Sequence, residues 1–198
     1  MRYRAILLTL LVTCLVSCLS TPPPLKALPA QPGTLTLDDF SISAPDEEGW
    51  YLAHEDPNEI QLVRKGTSGD ETYAIQAWSI RLPQFFNDEA FVSFIMDRIT
   101  HNTDETRFIA KKHQALIVNT RHGTCVKFMS VHETLSARKR SGNPGPILLE
   151  VVGITCRNPY QPTDGAHLVY SNRHRPGNKD FMLASRAQSL FDSLDFIH

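Results

Sequence analysis

Histidine is the side chain best suited to moving protons near neutral pH and to holding a transition metal, and the chain carries eight. A metal needs ligands that converge, and zinc sites usually show close Cys-x-x-Cys or His-x-His spacings. His122 and His132 flank Cys125 on one face of an extended segment, but stand roughly 30 Å apart at about 3.3 Å per residue. They cannot share an ion. His54, His101, His113 and His167 are isolated in the sequence, where the plain reading is surface or satisfied core. His132-Glu133 lacks the second histidine of an H-E-x-x-H zinc helix. There is no G-x-S-x-G nucleophile turn and no phosphate-cradling glycine loop, and Gly66-Thr67-Ser68-Gly69 reads as a hairpin turn. Asp46-Glu47-Glu48 reads as a solvated loop. A paired-carboxylate hydrolase needs no local motif, so a hydrolase assembled only by folding stands as the alternative function. No catalytic residue, metal or cofactor is assigned.

Fixed positive charge is more suggestive. Arg138-Lys139-Arg140 follows one predicted strand, and Arg173-His174-Arg175 follows another that runs in the same direction. Antiparallel topology puts both loops at one end of a sheet. Arg138, Lys139, Arg140, Arg173 and Arg175 together suit phosphate headgroups, lipopolysaccharide or an acidic protein; the plainer reading is solvated loops with gatekeeping charge. Trp50, Trp78, Phe85 and Phe86 raise a ligand groove. The tryptophans fall on strands, where core packing is their commoner fate, and Phe85-Phe86 suits a staple at a helix start.

The elements that position these residues follow from periodicity. Thr36 to Ala44 opens the domain with Leu37, Phe40 and Ile42. Gly49 to His54 reads as a strand, Asp56-Pro57-Asn58 as a turn, and Glu59 to Lys65 as its partner. After the turn Thr67 to Asp70, Tyr73 to Leu82 gives a third strand. Asn87-Asp88-Glu89 is a helix start, with a capping residue and two acids at the positive end of the dipole; Phe91, Phe94, Ile95 and Ile99 continue at helical spacing. Phe108 to Asn119 is ambiguous, and only Ala115 to Thr120 reads as strand. Gly123 to Thr134, Ile147 to Arg157 and His167 to Asn172 are further strands, with a polar loop over Leu135 to Gly145. From Asp180 the residues Phe181, Ala184, Ala187, Phe191 and Leu194 return to helical period, and Ser193 to Ile197 ends extended. The sum is α+β: an antiparallel β-sheet flanked by helices.

The start of the chain bears on where it works. Arg2 and Arg4 precede a mostly apolar run of 12 residues, Ala5 to Val16. A bilayer span needs about 20 apolar residues, whereas this length fits the central region of an export signal. Leu15-Val16-Ser17-Cys18 resembles the lipobox of bacterial lipoproteins; Cys14 fits less well, because it shortens the apolar run. The resemblance implies a signal peptide over 1–17, lipidation of Cys18, and, because Leu19 rather than Asp follows, a periplasm-facing position on the outer membrane. Several acyl chains at about 0.8 kcal/mol per buried CH₂ anchor durably. Pro22, Pro23, Pro24, Pro29 and Pro32 with Gly33 can neither continue a helix nor donate to a sheet. Residues 18–35 therefore read as a tether, with Ser20 to Gly33 spanning roughly 40 Å if extended. That leaves 36–198 as a single domain.

An exported domain with two remaining cysteines pairs them in oxidising surroundings, so Cys125 and Cys156 are expected to form a disulfide. Placed opposite each other, they also set Met129 against Val152, Phe128 over Gly153 and Leu135 against Pro146; an aromatic over a cross-strand glycine is a stabilising device. Removing the leader leaves 18 basic against 21 acidic residues, a net charge of −3 with histidine neutral. That weighs against a nucleic-acid partner.

The order of elements also resembles the PsbP-type α/β/α sandwich, shared by small Ran-binding and bacterial lipoprotein domains. It is carried by Phe40-Ser41-Ile42-Ser43-Ala44-Pro45 running to Gly49-Trp50, a mid-chain helix after a strand, and Val169-Tyr170-Ser171-Asn172-Arg173 before a final amphipathic helix. The likeness covers 36–198. It implies a non-catalytic protein that binds or supports an envelope protein complex, and carries no functional residue set across.

Overall fold

The strand that decides the architecture is Gly123–Thr134, in which Val126, Phe128, Ser130, His132 and Thr134 are buried on one face and Cys125 on the other. Such two-sided burial marks a central strand. The structure, a computed structural model, describes residues 25–29, 33–101, 104–121, 123–135 and 139–197. The expected signal peptide, Cys14, Cys18 with its lipid, Pro22 to Pro24, Pro32, His122 and Arg138 lie outside the described residues.

The strands are β1 (Lys26–Ala27), β2 (Thr34–Thr36), β3 (Phe40–Ser43), β4 (Trp50–Glu55), β5 (Glu59–Lys65), β6 (Thr72–Arg81), β7 (Phe108–Thr120), β8 (Gly123–Thr134), β9 (Leu148–Arg157), β10 (Asp164–His174) and β11 (Asp195–Phe196). The helices are α1 (Asp88–His101) and α2 (Leu183–Asp192). Eight strands form one sheet in the order β1-β4-β5-β6-β10-β9-β8-β7, and β11-β3-β2 form a second of three. Every pairing is antiparallel. β1, along β4, falls inside the segment assigned to the tether, and β2, against β3, begins within it at Thr34 and ends just past it.

The expected balanced α/β/α sandwich of PsbP type is overturned. Strand occupies 49% of the described residues and helix 16%, so the molecule is dominated by its sheet. The reason is geometric. At 1.5 Å per residue, the helices are about 21 and 15 Å long, whereas eight strands about 4.8 Å apart make a sheet roughly 34 Å wide. One helix per face cannot cover it. α2 shares its face with the small sheet, where Leu37, Phe40, Ile42, Leu190, Phe191 and Phe196 close over Trp50, Ile60, Leu62, Ile75, Ile154 and Leu168. α1 lies on the opposite face, where Phe91 and Ile95 meet Leu82 and Val126.

α1 starts as the sequence dictates. Asn87 Oδ1 accepts the N–H of Ala90 at 2.8 Å, and Asp88 in the first turn is held by Arg157 Nη2 at 2.6 Å and the Thr124 hydroxyl at 3.1 Å. The positive end of the helix is thereby pinned to β8 and β9 by a charge that suits it. Phe85, rather than Phe86, forms the staple: its ring lies 5.3 Å from both Phe91 and Phe94, while Phe86 is exposed.

Cys125 stands directly opposite Cys156 and is bonded to it. In the same register Phe128 faces Gly153 and Met129 faces Val152. The phenyl ring lies flat on the glycine: a Cβ there would sit 2.1 Å from Phe128 Cζ. The N–H of Thr134 still donates to the carbonyl of Ile147 at 2.8 Å, after which the N–H of Leu135 turns to the carbonyl of Arg107 instead of the register continuing to Pro146.

Reduction of the bridge is expected to lower stability by roughly 3–4 kcal/mol on the chain-entropy account without abolishing the fold; a melting curve unchanged by dithiothreitol contradicts this. Gly153→Ala must displace Phe128 and is expected to cost about 1–3 kcal/mol in urea unfolding. Wild-type stability in that variant would refute the close approach.

Candidate functional site

The loop after β8 and the loop after β10 do meet at one end of the sheet, and a carboxylate from a third loop organises them. Asp70, at the turn between β5 and β6, is buried. Its Oδ1 accepts the backbone N–H groups of Arg140 at 2.7 Å and Ser141 at 3.0 Å. Its Oδ2 takes the Ser141 hydroxyl and Arg175 Nε at 2.8 Å. The Ser141 bonds, then Arg175 and the N–H of Arg140, hold the Asp70 carboxyl well below the usual range. Arg175 is fully occupied here, for its Nη1 and Nη2 also donate to the carbonyls of Pro144 and Asn143 at 2.9 and 2.7 Å. Of the five expected cations, this one is a structural tie. His174 is buried on the other face of β10 and its Nδ1 lies 2.7 Å from the carbonyl of Arg175.

Arg173 differs. It sits near the end of β10 between Thr72 and Leu149, half-buried, and its Nε is buried without a hydrogen-bond partner. Burial, with the repulsion of Arg107 and Arg140, holds it below the ordinary arginine value. Arg107 precedes β7 and is tied to this end of the sheet through Leu135. The Thr134 hydroxyl nearby on β8 is likewise buried and unpartnered. Among the described residues no carboxylate lies within ion-pair distance of Arg107, Arg140 or Arg173. Asp104 feels the Arg107 charge from beyond ion-pair distance, so three guanidinium groups near one another lack a paired carboxylate, an arrangement that suits carboxylate or phosphate oxygens through paired N–H donors. Lys139 is exposed beside them. Sequence reasoning missed Arg107 because it stands alone, ahead of a segment whose strand character was unreadable.

Carboxylates for a hydrolase gather elsewhere, around a cavity of about 340 Å³ beside α2. Glu47 Oε1 meets Arg186 Nε at 2.6 Å, and Asp180 grips the same guanidinium. Arg64 lies over the rings of Tyr73 and Trp50 at 4.6 and 5.2 Å. Burial, then Glu71 at 2.9 Å from its hydroxyl, pushes Tyr73 up to about 12. Tyr170 rises further, from burial and the Glu47 charge. Asp46-Glu47-Glu48 is therefore not simply a solvated loop: Glu47 clamps α2 to the sheet.

Two of the four isolated histidines share a face with His132, whereas His54 lies against Asp56 and His101 against Asp97. His113, His132 and His167 all lie on the α1 side, with the rings of His113 and His132 5.1 Å apart. His167 borders a cavity of about 230 Å³ between Trp78 and Phe128, at 4.3 and 5.4 Å between ring centres, with Nδ1 2.7 Å from the Thr155 hydroxyl. It keeps some contact with solvent along that cavity, yet protein surrounds it densely; burial, helped by the Arg98 charge, pushes it down to about 3. Among the described residues no three His, Cys, Asp or Glu side chains could hold a metal.

No family model matches this chain, and no curated protein matches it. A solved structure of a mutant of the protein Mog1 is 11% identical, over 83% of this chain and 95% of that one, at a TM-score of 0.46.

A depressed carboxyl stabilises the fold above the ordinary aspartate value of about 3.9 and loses that contribution as pH falls below it. Asp70→Asn is therefore expected to melt below the wild type at neutral pH, with the gap narrowing below about pH 4; a gap independent of pH would sink the Asp70 anchor. A histidine held down to about 3 binds no proton in the folded state between there and its free value of about 6.5, so stability rises with pH across that window. The His167 imidazole is expected to stay neutral at pH 5 by NMR, and a midpoint near 6 would contradict its enclosure.

Proposed function

We propose that this chain is a non-catalytic lipoprotein, anchored through a lipidated Cys18 on the periplasmic side of the outer membrane, that binds an acidic protein partner within an envelope complex. The observation that carries the reading is that Arg107, Arg140 and Arg173 have no described carboxylate within ion-pair distance, beside an Arg175 that has its own aspartate. Keeping an arginine half-buried with its Nε unpaired costs desolvation energy that an incoming carboxylate offsets. The leader and tether support the location: Leu15-Val16-Ser17-Cys18 has the lipobox pattern, with prolines following. Among the described residues no helix is long and apolar enough to cross a membrane.

Two measurements test this. Intact mass of the native chain is expected to start at Cys18 and carry acyl groups; an unprocessed, unacylated chain in the cytosol overturns the location. Crosslinking in membranes is expected to recover a stoichiometric protein, and Arg107→Glu with Arg140→Glu to reduce that recovery by roughly tenfold, since reversing interfacial charges acts at the kcal/mol level. Arg140 serves the Asp70 anchor only through its backbone, so this variant leaves the loop intact. Undiminished recovery, or binding to anionic vesicles alone, overturns the proposed partner.

A further inference from the structure

The eight-stranded sheet has two margins, and they differ. One is β1, two residues long. The other is β7, thirteen residues long, with no strand beyond it among the described residues. Edge strands invite another strand to pair, and proteins blunt them with lysine, bulges or shortness. β7 is blunted only in its first half, where Lys111 and Lys112 coincide with a register shift between Ala110 and Lys112. From Lys112 to Thr120 the ladder is regular, and Gln114–Thr120 holds no charge, no proline and no glycine.

The open backbone groups can be assigned. The Cα atoms of Cys125 and Cys156 are 4.2 Å apart, which marks a non-hydrogen-bonded pair, normally about 4.5 Å. Cys125 therefore turns its N–H and C=O away from β9, toward Val118 on β7. By alternation, Ala115, Ile117 and Asn119 present theirs outward. Beside this margin, exposed Leu116 and Met129 border a cleft of about 520 Å³ with Val118, Ile154 and Phe191, so an added strand finds apolar surface as well as hydrogen bonds.

Charge selects the occupant. Residues 107–121 contain Arg107, Lys111, Lys112 and Arg121 and no carboxylate. Lys111 is answered by Glu133 at 2.9 Å, and Lys112 is exposed. A second copy pairing antiparallel about Leu116 would set Lys111 against Arg121 of that copy, and one centred on Ile117 would set Arg121 against His113; neither register brings a carboxylate of one β7 opposite a cation of the other. Like charges opposed across strands destabilise the pair. Resting on the acidic-partner reading above, we infer that an extended segment of that partner, alternating apolar and polar with acidic residues at one end, adds as a further strand along Gln114–Thr120, its acidic end over Lys112. Backbone bonds supply the attachment, and alternate side chains supply the fit.

The probe is a synthetic peptide of alternating threonine and valine with a glutamate pair at one end, added to the full chain in detergent. Hydrogen exchange is expected to slow at Ala115, Ile117 and Asn119, and the same peptide with lysines in place of glutamates to bind roughly tenfold more weakly, as expected for electrostatic mismatch. Ile117→Pro removes an outward N–H that the β7–β8 ladder does not use, and is expected to abolish binding while the melting curve holds. If that variant misfolds, Lys112→Glu is read instead, which should reverse the preference between the two peptides. Unchanged exchange at those amides, full binding to folded Ile117→Pro, or protection that appears without peptide as the chain self-associates overturns the inference. Crosslinking that still recovers a partner with Ile117→Pro, but loses it with Arg107→Glu and Arg140→Glu, removes strand addition and leaves the acidic-partner reading standing.

Discussion

The register of β8 against β9 is the constraint on which the rest depends. A shift of one residue would send Cys125, Lys127 and Met129 to the face that holds Phe128, Ser130 and His132, breaking both cores at once. Two contacts forbid it. The disulfide fixes Cys125 against Cys156, and the Phe128 ring fits only where the opposite residue lacks a side chain, at Gly153. With that pairing set, Asp88 reaches Thr124 and Arg157 to seat α1, Phe191 lies in the cluster over Ile154, and β7 is delivered as the last strand. The outward direction of every second amide on β7 follows from the same pair.

Charge is distributed by a similar logic. Cations that do structural work have a carboxylate: Arg175 has Asp70, Arg157 has Asp88, and Arg186 has Glu47 with Asp180. Those pairs are at least partly withdrawn from water, where removing one partner is far more costly than for a surface pair. Arg107, Arg140 and Arg173 break the pattern at one corner, so a chain with a small net charge still shows a local positive field.

Elements bounded by strong turn residues were legible. Asp56-Pro57-Asn58 and Thr67 to Asp70 punctuate β4, β5 and β6 where they read in the sequence, and Asn87 announces α1. The cysteine pair carried the β8–β9 register with it. Only the second half of β7, Ala115 to Thr120, is legible; the first half is not, because the bulge after Ala110 resets its alternation and the block Lys111-Lys112-His113-Gln114 resembles a polar loop. Reading that strand short also hides Arg107, which directly precedes its true start. The histidines looked unrelated because parity along one strand cannot show that His113, His132 and His167, on three strands, share a face. The cation cluster was legible as charge only: nothing in Arg173-His174-Arg175 shows that Asp70, about a hundred residues earlier, takes one arginine and leaves the other bare.

Asp70 has a further effect on the loop it holds. That loop is gripped through the amide hydrogens of Arg140 and Ser141 and a single hydroxyl, and through the carbonyls of Asn143 and Pro144 against Arg175. Most of these contacts belong to the main chain, so the path of the loop is largely indifferent to which side groups it displays. Outward side chains of the loop can therefore be substituted, and the charge of this corner altered, while the underlying scaffold keeps its shape.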